Sequence, residues 1–479
     1  MKDVLAKYKG MNVQAKAAIW FALCSILQKG ISVITVPIFS RLLTAEQYGT
    51  YSLYVSWLQL LTIITSLYLY YEVFNNAMSK FDRDRDVYVS SMQGLTLTIT
   101  TVVFVIYLVA YQSWSELLEL SPTIMLLMFA EMAVTPALFF WSGRQRFEYR
   151  YKRLVIITLA KAALNPLLGL VMVLLSEDKA TARVASVVIV EVIFCGVIMA
   201  RQFAKGKHFF HAKYWKYALG LAIPLLPHYL SGMILSQGDR VMISQMVGKA
   251  EVAFYSVAYS IGMLTQTLVY AINNSLTPWM YAKFKAKNFD GVHRTLNLLL
   301  VLVGVILVGI MILSPELIWV FGSDEYAGAA YVIPPVAASV FFIFLYHLLA
   351  IPQFYYEKTK FLAVSSFVAA AVNIILNYFF IGWFGYIAAG YTTLACYVVY
   401  SLGHYLVSGK VLKECAEGRE FYDKRFMFAI SVTIIGISIG CNFLTELWVI
   451  RYVLIAAICV VALIKRRDIM DLIKGVRKK

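Results

Sequence analysis

Charge is scarce in this chain. Only 15% of its 479 residues are Asp, Glu, Lys or Arg, while 61% are hydrophobic. A soluble protein of this length cannot bury so much apolar surface, so a cytosolic or secreted globular protein is excluded. Cysteine is scarce as well. Cys24, Cys195, Cys396, Cys415, Cys441 and Cys459 form no CxxC pair and mostly lie in apolar runs, which argues against a disulfide framework or a thiolate metal site. His208 and His211 share a basic loop without acidic or cysteine company, so no metal is expected there either. No P-loop, nucleophile elbow or HExxH motif is present. The chain is therefore expected to be no enzyme and to need no cofactor. Acidic residues number 27 against 43 basic ones, a net charge of +16. That balance would suit nucleic acid, but the Lys and Arg come as short clusters between apolar runs. Such clusters mark the cytoplasmic loops of a membrane protein, and no nucleic-acid partner is expected.

What is present is a succession of apolar runs, at 17–39, 47–71, 88–111, 119–141, 154–176, 182–201, 217–238, 250–277, 295–314, 327–351, 361–382, 385–408, 426–444 and 447–464. Each is long enough to cross a bilayer as a helix. Backbone in lipid must satisfy its own polar groups, and runs of this length suit helices and not barrel strands. The expected fold is an all-α polytopic membrane protein with about fourteen transmembrane helices. The first run follows a lysine-rich start and contains Lys29, and is read as an uncleaved helix and not a signal peptide. With the N-terminus inside, the segments assigned to the cytoplasm hold 35 of the 43 Lys and Arg, and the opposite segments hold six. Both termini are thus expected to be cytoplasmic. The basic tail from Lys465 is expected to lie as an amphipathic helix on anionic lipid headgroups.

The chain also repeats itself weakly. A polar link carrying Glu46 leads into Tyr51-Ser52, and a link carrying Glu251 leads into Tyr255-Ser256, with Ser56 matching Ser260. Repeats that open each half of a chain of apolar runs are a mark of duplicated transporters. The expected division is an N-terminal bundle at 1–215, a C-terminal bundle at 216–415, and two further spans with the tail at 416–479.

Charges inside apolar runs are costly in lipid and so point to function. Lys29 falls near the middle of the first run and Arg41 closes it. Asp239 and Arg240 stand at the outer end of the seventh. Lys29, Arg41 and Arg240 suit a central cavity for an anionic substrate such as a diphosphate. Snorkelling or a buried pair for Lys29, and interfacial anchoring for the two arginines, fit the same positions. Glu131, Lys161 and Glu191 lie at similar depth in three successive runs, which permits a Glu–Lys–Glu cluster. That cluster, with Asp239, reads either as a structural ion-pair network or as a Na+ or H+ coupling site. Pro224 and Pro227 flank His228 and are expected to break or kink the seventh helix, making it a moving part. Asn373 and Asn377, spaced i, i+4, form a polar stripe that lines a cavity or joins helices.

The segments Pro37 to Ser52, Gly238 to Gly248 and Ala253 to Val257 together resemble the Wzx-type flippases of the multidrug/oligosaccharidyl-lipid/polysaccharide exporter superfamily. The resemblance implies two six-helix bundles in a V plus two extra C-terminal helices. It implies translocation of undecaprenyl-diphosphate-linked oligosaccharide repeat units from the inner to the outer leaflet of the bacterial plasma membrane, by alternating access through a cationic cavity. Capsule, O-antigen or exopolysaccharide biosynthesis would be the setting, with a polysaccharide polymerase and a chain-length regulator as partners and a monomer as the default state. By location in their helices, Lys29, Arg41 and Arg240 would stand in that cavity. A cation-coupled multidrug exporter and a peptidoglycan lipid-precursor flippase are the alternatives. A membrane polymerase or ligase would show a large outer loop, and the chain has none.

Overall fold

The computed structural model describes residues 10–358, 360–416, 418 and 420–464. They are almost entirely helical and form two compact units that divide between Met233 and Ile234. Unit one holds α1 (Val13–Leu42), α2 (Ala45–Ser66), α3 (Glu72–Lys80), α4 (Arg85–Val109), α5 (Tyr111–Leu118), α6 (Pro122–Phe147), α7 (Tyr151–Leu175) and α8 (Lys179–Gly206). The boundary falls inside α9 (Ala212–Met246). Unit two continues with α10 (Lys249–Gly262), a 3-10 turn (Met263–Thr265), α11 (Gln266–Lys285), α12 (Val292–Ile312) and α13 (Ser314–Phe321). A 3-10 stretch (Asp324–Val332) then leads to α14 (Ile333–Tyr355), α15 (Lys360–Phe384), α16 (Ile387–Cys415), α17 (Lys424–Leu444) and α18 (Trp448–Ile464).

Each of the fourteen expected spans coincides with a helix, the eighth with α10 and α11 joined by the 3-10 turn. Among the described residues, eleven segments are long and apolar enough to cross a membrane. The expected spans outside that set are α2, α16 and α18. The first two carry many hydroxyl and tyrosine side chains, and α18 has 17 residues. Short α3, α5 and α13 have no counterpart among the expected runs, because helices of eight or nine residues leave too little periodic pattern to read. The basic tail from Lys465 lies outside the described residues.

In unit one, α8 is the central helix and packs on α2, α4, α6 and α7. In unit two, α14 takes that place against α12, α16 and α17. Nearly every side chain of α14 is buried, as expected of a helix apolar all round. Small residues set how closely α4 approaches α8 and the loop that follows it. A Cβ on Gly94 would stand 1.9 Å from the Phe209 carbonyl oxygen, and one on Gly206 would stand 2.1 Å from the Ser90 hydroxyl. Gly94→Ala is therefore expected to cost about 1–3 kcal/mol through overpacking. Gly409→Ala, with nothing within 4 Å, should be neutral or stabilising. Thermal unfolding in detergent compares the two.

Two features of α9 correct the sequence reading. Pro224 and Pro227 do not break it: all 35 residues from Ala212 to Met246 are helical. As expected of interior prolines, they leave the Gly220 and Ile223 carbonyls without their usual i+4 donors. Because α9 runs on to Met246, Asp239 and Arg240 lie within the helix and not at its outer end. The start of α9 belongs with unit one. Tyr214, Ala218 and Ala222 join the core of Phe74, Tyr88 and Met92, and the Trp215 indole donates to the Ser91 carbonyl at 3.0 Å. The residues from 216 to 233, assigned from sequence to the second bundle, thus fall in the first compact unit.

Candidate functional site

The sequence repeat turns out to be a helix-capping device followed by a tyrosine helix. Thr44 caps α2: its hydroxyl accepts from the Gln47 amide at 3.3 Å, and the Gln47 side chain accepts from the Thr44 amide at 3.1 Å. Gly248 caps α10 and takes φ 154°. Glu251, three residues on like Gln47, folds back to 2.7 Å from where a Gly248 Cβ would stand. One turn further along, both helices present a serine carbonyl to the next serine, Ser52 to Ser56 at 3.0 Å and Ser256 to Ser260 at 2.8 Å.

Each tyrosine helix holds a buried arginine from a neighbouring helix. In unit one the Arg183 guanidinium stacks on Phe39 at 4.2 Å and Tyr51 at 4.7 Å, and donates to Asn165 at 3.0 Å. In unit two Arg240 stacks on Tyr259 at 4.5 Å and Tyr255 at 5.6 Å. It donates to the Ser256 hydroxyl and the Ser236 carbonyl, both at 3.0 Å. Arg183, one of the six cations assigned from sequence to the segments opposite the cytoplasm, is 3% exposed inside α8. Arg451, counted likewise, is buried at the start of α18 and pairs with Glu316 at 2.6 Å.

Each unit also buries a carboxylate that accepts from a tyrosine of its repeat helix. In unit one Tyr54 donates to Glu131. Lys161 on α7 and Glu191 on α8 form an ion pair at 2.6 Å, the Cys195 thiol donates to Glu191 at 3.2 Å, and Glu131 lies close enough to feel both charges. The structure thus brings Glu131, Lys161 and Glu191 together. In unit two Asp239, fully buried, accepts from Tyr255, from the Asn377 amide at 2.6 Å and from the Thr393 hydroxyl at 2.7 Å. Asn377 also donates to Asn373 at 3.2 Å and accepts from Thr392. Asn373 and Asn377 are fully buried within unit two, joining α15 to α9 and α16. The oxygens of Asp239, Asn373, Asn377, Thr392 and Thr393 make a hard-oxygen set of the kind that holds alkali or alkaline-earth cations.

The predicted cations belong to different units and differ in exposure. Lys29 and Arg41 are exposed on α1, whereas Arg240 is 7% exposed with its donors engaged inside unit two. That arrangement makes Arg240 a clamp on Tyr255, Tyr259 and Ser256. Pro224 and Pro227 are exposed on α9 and His228 is half-buried. Beside His228, the Tyr229 ring lies tilted against Tyr68 at 4.9 Å and its hydroxyl donates to Glu72, while Tyr68 stacks on Tyr71 at 4.6 Å. This tyrosine surface escaped the sequence reading, although the run Tyr68-Leu69-Tyr70-Tyr71-Glu72 was its signal. Leu67 and Tyr68 take left-handed φ of 48° and 52° where α2 ends, which turns the tyrosines together.

Compared with known proteins, residues 15–284 match the family described as polysaccharide biosynthesis protein. The chain belongs to that family. Residues 224–379 also match the MatE family. A family relative in Haemophilus influenzae, Lsg locus putative protein 1, is 21% identical over 371 residues, covering 75% of this chain and 89% of its own length. Among solved structures, a lipid II flippase, MurJ, in an inward closed conformation has a TM-score of 0.68 at 14% identity, with 94% of this chain and all of that one covered. An inward-facing multidrug resistance MATE transporter has a TM-score of 0.62 at 13% identity, covering 83% and 96%. These likenesses show the fold, that of a membrane transporter. The family member described here is a multi-pass protein of the bacterial inner membrane, and the proteins it resembles are transporters and flippases.

Proposed function

We propose that this protein is a flippase for undecaprenyl-diphosphate-linked oligosaccharide repeat units, moving them from the inner to the outer leaflet by alternating access. The match to the polysaccharide biosynthesis family over residues 15–284 carries the reading. The fold shared with a lipid II flippase supports it. Lys29 and Arg41, exposed on α1, meet the diphosphate through charge-assisted hydrogen bonds. The Tyr68, Tyr71 and Tyr229 surface with Glu72 offers sugars aromatic faces and a hydrogen-bonding carboxylate. The Asp239 oxygen set takes the coupling cation, and Glu131 with Lys161 and Glu191 is the corresponding charge cluster of unit one. The flipped repeat unit then passes to a polysaccharide polymerase and its chain-length regulator.

The test is protein in liposomes with a fluorescent undecaprenyl-diphosphate oligosaccharide in one leaflet. Protein-dependent arrival in the other leaflet, faster with a Na+ or H+ gradient, is expected. Lys29→Ala should slow it at least tenfold, about 1.4 kcal/mol of lost stabilisation, while Lys29→Arg should retain most of it. An unimpaired Lys29→Ala would remove Lys29 from the phosphate contact. The MatE match over 224–379 favours a second reading, a cation-coupled drug exporter. Uptake of a cationic dye without lipid movement would select it.

A further inference from the structure

At one end of unit one, the end with the basic loops after α6 and α8, lies a cavity of about 580 Å3. The start of α4, the end of α6, the start of α7 and the end of α8 wall it. Six cations line it: Arg144, Arg150, Lys152, Arg153, Arg201 and Lys205. The carboxylates nearby account for only two of these. Asp86 pairs with Arg144, and Glu148 lies 2.9 Å from Arg144 and 3.1 Å from Arg150. Lys152, Arg153, Arg201 and Lys205 are exposed and make no ion pair among the described residues.

The local helix end sharpens this. At the start of α7, Arg150 contributes no capping side chain and the first turn holds no acid. Lys152 and Arg153 sit there instead, where the positive end of the helix dipole disfavours cations. An anion at this point would meet amides and side chains together. Beside the cations stand Trp141, Tyr149 and Gln202. The Gln202 amide donates to the Ala137 carbonyl at 3.0 Å, and its side-chain oxygen is buried without a donor. A bare phosphate would leave that acceptor unsatisfied, whereas a hydroxyl would satisfy it. The cavity reaches Ile157 and Ile198, about 10 Å in from Arg150 and Lys205 at 1.5 Å per residue. It therefore runs from the polar end of the helices to their apolar part, the path of a lipid headgroup.

We propose that this cavity binds a hydroxyl-bearing lipid headgroup with two phosphate groups, the phosphates on Lys152, Arg153, Arg201 and Lys205 and a hydroxyl on Gln202. Two lipids carry that chemistry: the glycosyl-diphosphate lipid of the flippase reading, docked before it moves, and a two-phosphate phospholipid of the bilayer. The first source rests on that reading; the site itself does not.

The experiment uses the full chain in phosphatidylcholine nanodiscs, with a short-chain prenyl-diphosphate N-acetylglucosamine and cardiolipin as separate probes. Saturable binding of at least one probe is expected. R153E with R201E should weaken it at least tenfold, and K413E with R425E, an equal charge change on exposed residues of unit two, should leave it unchanged. Tighter binding of the sugar diphosphate identifies a docked substrate, and tighter cardiolipin binding identifies a phospholipid; either supports the site. No saturable binding, an unaffected R153E/R201E variant, or equal loss in the unit-two control overturns it. R153Q with R201Q, read the same way, serves if the charge reversal fails to fold. Binding that persists while the liposome assay shows no flipping would leave the site standing and sink the flippase reading alone.

Discussion

Asp239→Ala is expected to lower the stability of unit two by about 3–5 kcal/mol and to abolish cation-driven transport. The magnitude follows from what surrounds the carboxylate. Asp239 is fully buried and takes donors from three helices: Tyr255 on α10, Asn377 on α15 and Thr393 on α16. Removing the acceptor strands three buried donors, each costing about 1–3 kcal/mol if it finds no other partner. Asp239→Asn keeps the volume but turns an NH2 group toward those donors, so it should recover only part of the loss. A cation held by the oxygen set would stabilise the wild type by about 2.7 kcal/mol at a hundredfold excess over its dissociation constant. Thermal unfolding in NaCl against choline chloride reads that term directly, and both variants should lose it. A variant that unfolds at the wild-type temperature with the same sodium response would show that Asp239 neither braces unit two nor meets the ion.

The spans were legible because lipid leaves a helix few alternatives, and the juxtaposition of Lys161 with Glu191 was legible because depth along a helix grows by a fixed rise. The partners of Asp239 were harder to see. Tyr255 lies in the repeat itself, but nothing in a linear pattern says that its hydroxyl turns toward α9. Arg240 was read as an end-of-span cation because Val241 to Val247 could extend the helix but is too short and mixed to decide it; the structure takes the extension. Arg183 shared that fate: near a loop by sequence, it is sealed against Phe39 and Tyr51 by packing that only the assembled unit provides. The basic cavity is the extreme case. Its cations come from helix ends far apart in the chain, and each alone looks like an ordinary cytoplasmic-loop residue.

The second large effect is expected at Lys161. Lys161→Ala should destabilise unit one by about 3 kcal/mol, because it leaves Glu191 buried beside Glu131 with its cation gone. The paired change Lys161→Met with Glu191→Leu should return to within about 1 kcal/mol of the wild type, since apolar side chains of similar size often replace a buried ion pair at little cost. The comparison of single and double variants separates brace from machine. A purely structural pair predicts that the double variant, once folded, transports normally. A coupling pair predicts a protein with wild-type unfolding temperature that no longer responds to an ion gradient. The second outcome is expected, because Glu131 gives the cluster one more carboxylate than it has cations. Tyr54 donates to Glu131, and Cys195 donates to Glu191 at 3.2 Å, so each carboxylate has a neutral partner that does not depend on Lys161. A cluster built only for stability would have no use for the surplus acid. Full gradient-driven flipping by the folded double variant would assign Lys161 and Glu191 to packing and leave Asp239 as the coupling group.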